Sequence, residues 1–120
     1  MVPSCMEEEQ VLVQNIQEFV RQARKAKEDG SFNSAATLFF KALAVSLDLF
    51  ILKKEGFIPS NHSERFKLLK EKYLTLYRIM DKDFPIYQDS YRLKVTKPLV
   101  EVLEHDVAEV ATIAGVKFTH

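Results

Sequence analysis

A chain of 120 residues, 47% hydrophobic and 28% charged, has the length and composition of one globular domain, 1–120. Seventeen basic residues balance seventeen acidic ones, so no net field draws in nucleic acid, and binding of that kind needs a local basic patch. One cysteine, Cys5, excludes an internal disulfide framework.

Residues 1–6 read as a flexible N-terminus. No charged segment precedes an apolar core there, so no secretory signal is expected and a cytoplasmic location follows by default. Glu7, Glu8 and Glu9 suit the positive end of a first helix that runs to about Glu28. Leu12, Ile16, Phe19, Val20, Ala23 and Ala26 recur at three and four residues and give it one apolar face. Arg21, Arg24, Lys25 and Lys27 load its C-terminal half, where cations suit the helix dipole. They read as a solvated helix end, with a nucleic-acid patch as the alternative. Asp29-Gly30 closes the helix, the glycine supplying a left-handed cap.

Residues 33–55 (NSAATLFFKALAVSLDLFILKKE) predict one long helix that is apolar around most of its circumference. Ser31 or Asn33 is its expected N-cap. At 100° per residue, Thr37, Lys41, Asp48 and Glu55 fall within about 40° of one another, a single narrow polar stripe. A helix of this kind needs cover on several sides and belongs at the centre of a bundle, with part of it at a subunit interface. A membrane span is the competing reading. The Leu, Ile, Phe and Val residues of 35–52 favour insertion by roughly 3–6 kcal/mol, while Lys41 and Asp48 oppose it by roughly 5–7 kcal/mol. The balance favours a buried core helix, and no membrane association is expected. Gly56 and Pro59 end the helix. Phe57 and Ile58, in the loop that follows, are expected to tuck back onto the bundle.

Asn61 is a good N-cap, and Glu64 three residues on can complete a capping box. A third helix through Phe66, Leu69, Tyr73, Leu76, Tyr77 and Met80 is expected to bend near Tyr73. Residues 81–85 read as a turn, because Pro85 disfavours a helical Phe84. A short fourth helix then carries Ile86, Tyr87, Tyr91 and Leu93. Thr96 or Lys97 caps the last helix, with Pro98 in its first turn and Leu99, Leu103, Val107, Val110 and Ala114 as its apolar stripe. Gly115 ends it, and residues 116–120 read as a flexible tail. No stretch alternates with period two, so no sheet is expected. The fold class is all-α, an up-and-down bundle of four to five helices.

No glycine-rich phosphate loop and no cysteine metal set is present, and His62, His105 and His120 are too scattered to suggest a metal by spacing. No cofactor is expected. One polar set stands out: Lys41, Asp48, His62, Arg65, Tyr87, Tyr91 and Arg92. If the short helix crosses the opening of the third, these side chains converge and offer cations, donors and stacking rings to a phosphate or nucleotide. A structural reading of the same residues pairs Asp48 with Lys41 or Arg65, assigns His62 to the helix start and lets the tyrosines fill core.

Residues 38–52 (LFFKALAVSLDLFIL), the loop 56–59 (GFIP) and residues 61–66 (NHSERF) resemble the HEPN superfamily. Residues 81–84 (DKDF) and 87–92 (YQDSYR) look similar to the matching segment of small prokaryotic members. The resemblance covers most of residues 30–114 and implies a homodimeric bundle of four or five helices. It also implies one of several roles: a metal-independent ribonuclease, a partner of a minimal nucleotidyltransferase, or a binder of nucleotides or RNA. The ribonuclease branch carries an arginine, then four to six intervening residues, then a histidine. Here Lys97, Pro98 and Leu99 stand where the histidine should follow Arg92, Arg65 and Arg78 have none at that distance, and His105 comes too late. The resemblance therefore implies a non-catalytic module, with ribonuclease action through an unorthodox His62 and Arg92 site, or a plain helical adaptor, as alternatives.

Overall fold

Helix α2, Phe32–Glu55, is sheathed by the rest of the chain. A computed structural model describes residues 5–118 and shows four further helices: α1 Cys5–Glu28, α3 His62–Lys72, α4 Leu74–Asp89 and α5 Lys97–Ile113. The protein is an all-α bundle, and no strand occurs among the described residues. α2 packs most extensively on α1, then on α5 and α4. Phe39, Leu43, Leu47, Leu49 and Ile51 are wholly buried, and Phe40 is 3% exposed, so the greasy helix lies at the centre as its composition demands. By length and composition alone α2 is also long and apolar enough to cross a membrane. The other helices cover most of that surface here.

α1 and α2 form a hairpin. Its turn closes through Gly30 N–H to Lys27 O at 3.0 Å and Ser31 N–H to Ala26 O at 2.8 Å, with Gly30 at φ 77°. Ile16, Val20 and Ala23 form the buried stripe expected of α1. Its basic end is not simply solvated. Lys27 Nζ meets Glu104 Oε1 at 2.6 Å and Arg24 Nε meets Glu104 Oε2 at 3.3 Å, which ties α1 to α5. Cys5 and Met6 belong to α1 rather than to a flexible end, while residues 1–4 lie outside the described residues.

Several local expectations are corrected. Asn33 does not cap α2. Its amide lies inside the first turn and reaches across the bundle, with Nδ2 donating to Ser90 O at 2.9 Å and Leu93 O at 2.6 Å and Oδ1 accepting from Val95 N at 3.0 Å. Ser31 is the cap residue, without a side-chain bond. Phe57 and Ile58 stay exposed, at 42% and 36%, and Pro59 is buried in their place. Asn61 caps α3 by accepting from Glu64 N–H at 2.9 Å.

The expected bend at Tyr73 is a full break that separates α3 from α4. Conversely, residues 81–85 are no turn, because α4 runs through Pro85. Pro85 and Asp81 both face solvent, so water can serve the Asp81 carbonyl that the missing N–H leaves free. Tyr91 and Leu93 consequently fall beyond the helix, in the loop that Asn33 holds.

α5 buries Val100, Leu103, Val107, Val110 and Ala111, whereas Leu99 is 40% exposed, so its stripe begins one residue later than expected. The tail is not loose either. Val116 is 4% exposed and Phe118 packs on the core, while residues 119–120 lie outside the described residues. Lys53 Nζ donates to Ala114 O at 2.7 Å beside Gly115, whose φ is 91°. A Cβ at Gly115 would stand 2.7 Å from that ammonium. Glycine there serves both the left-handed backbone and the approach of Lys53.

Candidate functional site

The polar stripe of α2 is an interface rather than a solvent face. Thr37 Oγ1 lies 3.1 Å from Ser90 Oγ, and Glu55 accepts from Tyr73 Oη at 2.5 Å and Lys72 Nζ at 2.8 Å. Between them, Asp48 is only 8% exposed and is held by Arg65 on α3, Nε to Oδ1 at 2.6 Å and Nη2 to Oδ2 at 3.0 Å. A buried carboxylate needs such a two-point partner. Lys41, the remaining member of the stripe, is exposed, and its ammonium makes no ion pair among the described residues.

Arg65 also fixes His62. Its Nη1 lies 2.9 Å from His62 Nδ1. A guanidinium only donates, so Nδ1 accepts and the neutral ring carries its proton on Nε2. Burial, then the Arg65 charge, push the His62 pKa down, with Asp48 opposing. Nε2 is buried and without a hydrogen-bond partner. The ring stands edge-on to Phe84 at 4.5 Å and 74° and to Phe66 at 4.6 Å and 76°. His62 is thus a neutral donor in an aromatic nest, with its accepting nitrogen already engaged.

Next to it, Phe40 and Tyr87 stack with centroids 4.5 Å apart and an interplanar angle of 17°. Tyr87 Oη lies 2.7 Å from Tyr91 Oη, and this bond, with burial, raises the Tyr87 pKa. Tyr91 is 69% exposed. Phe40, Lys41, Ala44, His62, Phe84 and Tyr87 line one open cleft of about 380 Å³. Its walls are apolar rings, and the Lys41 ammonium is its one cationic group.

Six of the seven residues singled out in the sequence therefore gather in one region, in two roles. Asp48, Arg65 and His62 form a buried chain that supports the floor. Lys41 and Tyr87 line the opening, and Tyr91 joins them through its bond to Tyr87. Arg92 is exposed in the loop after α4, and no hydrogen bond or ion pair joins it to these groups among the described residues. The sequence reading missed Phe40 and Phe84, which line the cleft with Tyr87 and His62. Phe40 carried a signal, being four residues before Ala44 and eight before Asp48 on one helix face. Phe84 was hidden by the turn read at Pro85.

That misreading also hid a second polar cluster. Asp83 on α4 is wholly buried, and Lys82 Nζ bridges it to Asp106 on α5, 3.6 Å from Asp83 Oδ1 and 2.7 Å from Asp106 Oδ2. Burial above all, with Asp106 adding to it and Lys82 opposing, pushes the Asp83 carboxyl up to about 8. Burial works against ionised Asp106 too, but Asp83, Lys82 and His105 together outweigh it and hold that carboxyl below its ordinary range.

Compared with protein-family models, curated proteins and solved structures, the chain matches none.

Proposed function

We propose that this chain is a non-catalytic, HEPN-like binding module whose aromatic cleft stacks a base of a nucleotide or of single-stranded RNA. The observation that carries the reading is the ring-walled cleft with the unpaired Lys41 ammonium. Rings offer a stacking surface to any base, and a single cation suits the adjoining phosphate. The His62 ring adds a further edge to the cleft wall. In this reading the module is a cytoplasmic homodimer, or sits beside a nucleotidyltransferase partner, and the exposed Phe57 and Ile58 supply apolar surface for such contacts.

The arrangement argues against the ribonuclease alternative. A general base needs a free lone pair, and His62 Nδ1 is occupied by Arg65. A phosphate-steadying arginine needs a free guanidinium, and Arg65 is spent on Asp48. Arg92 is exposed, and no hydrogen bond or ion pair joins it to His62 among the described residues. Titrating the protein with short single-stranded RNA in chelator tests both readings at once. Saturable binding with intact RNA recovered is expected. Cleavage lost in His62→Ala and Arg92→Ala would instead establish the enzyme. Silence toward RNA and all common nucleotides would leave the adaptor reading.

A further inference from the structure

We infer that the pocket between α1 and the C-terminal tail, lined by Arg21, Arg24, Lys25 and Phe118, binds the phosphate group of a small phosphorylated ligand. It shares no residue with the aromatic cleft and does not depend on the function proposed for that cleft. Its volume of about 440 Å³ falls within the range of small-molecule sites.

The tail as well as the helix builds this pocket. Gln17 Nε2 donates to Lys117 O at 3.1 Å and Val116 is buried, which holds the tail against α1 and sets Phe118 in the pocket wall. Arg24 is fixed on two sides. Its Nε is engaged by Glu104 at 3.3 Å, and its guanidinium carbon lies 5.8 Å from the centre of the Phe118 ring. Its two terminal nitrogens make no hydrogen bond among the described residues. A guanidinium oriented in this way loses little freedom when it grips two oxygens of one phosphate.

Arg21 and Lys25 stand one turn apart on α1. Both are exposed, and neither makes an ion pair among the described residues. Like charges at this spacing repel. Lys27, on the same helix, is answered by Glu104 and Glu101, whereas Arg21 and Lys25 are left to a group from outside the chain. Glu28 is the one acid of the lining, against three cations. A phosphomonoester carries a charge of about −1.5 to −2 near pH 7 and three acceptor oxygens, which matches that surplus; a carboxylate brings a single charge. Val20 and Phe118 give the rest of the ligand an apolar surface to lie on.

Calorimetric titration of the full chain with ribose 5-phosphate tests the site, because this probe has no base for the aromatic cleft to stack. One site per chain is expected, with ribose alone silent. Arg24→Gln and Arg21→Gln should each weaken binding by about tenfold, the order of one lost charge-assisted hydrogen bond, and Glu28→Gln should tighten it. If Arg24→Gln does not fold, Arg21→Gln, at an exposed and unpaired residue, decides. No saturable binding, binding indifferent to Arg21→Gln, or an equal loss in Lys67→Gln on α3 would overturn the site and leave a solvated helix end.

Discussion

Arg65 grips Asp48 at two points across the α2–α3 contact, at 2.6 and 3.0 Å, and with a third nitrogen fixes His62 at 2.9 Å. This one guanidinium sets the charge of the floor, the tautomer of the imidazole and the angle at which α3 meets α2. Its role in the account is support rather than ligand contact. Arg65→Ala is expected to cost about 3 kcal/mol in urea unfolding, because it strands Asp48 in a buried place. The double change Asp48→Leu with Arg65→Met should recover most of that loss. RNA affinity measured below the unfolding range should stay within about threefold, since ΔΔG below about 0.6 kcal/mol marks an untouched contact.

His62 gives the protein a pH response. Its folded pKa lies below that of the unfolded chain, so the unfolded state binds more protons as the medium acidifies. The stability that neutral His62 confers is complete above the unfolded value, near 6.5, and is lost as pH falls toward the folded value. Unfolding curves at pH 7.5 and 5.5 should show this fall, and His62→Phe should lessen it.

Asp83 responds with the opposite sign. Its folded pKa, about 8, lies above the unfolded value, so the folded state holds the extra proton. The contribution is complete below the unfolded value, near 4, and is lost as pH rises through about 8. Asp83→Asn in chelator is expected to match the native protein near pH 5 and to exceed it in melting temperature at pH 8. A variant that is less stable than the native protein at pH 8 would show that the ionised form is welcome there.

Lys41 is the only cation lining the cleft. Lys41→Gln should therefore weaken RNA binding and flatten the salt dependence of log Kd by about 0.7, the slope of one single-strand phosphate contact. Arg92→Gln should change neither quantity by a comparable amount.

How much of this was legible follows from what each residue depends on. α2 could be read because its burial is encoded all round, with no choice of face to make. α1 and α5 showed their stripes by helical spacing, although at Leu99 the pattern alone did not reveal that Val100 turns inward. The break at Tyr73 reads as a mere bend because neither glycine nor proline stands near it. Pro85 misled for a definite reason. The local rule counts one lost hydrogen bond and a disfavoured Phe84, whereas the fold sets against them the burial of Leu76 and Met80 on one side of α4. Once α4 is continuous, Phe84 and Tyr87 join the cleft, and Asp83 falls inside. No sequence rule would place a lone carboxylate there, since its position depends on Lys82 and Asp106 meeting across two helices. Asn33 suits a cap by local rules, but its partners lie 57 to 62 residues away.

The stacking claim is tested most directly at Tyr87, by comparing RNA affinity of the native protein with that of Tyr87→Phe and Tyr87→Ala. One stacked base is worth about 1–3 kcal/mol, so alanine should weaken binding by about 5- to 150-fold, while phenylalanine, which keeps the ring, should stay within about threefold. Equal affinity in the alanine variant, with its fold intact, would contradict a base-stacking cleft.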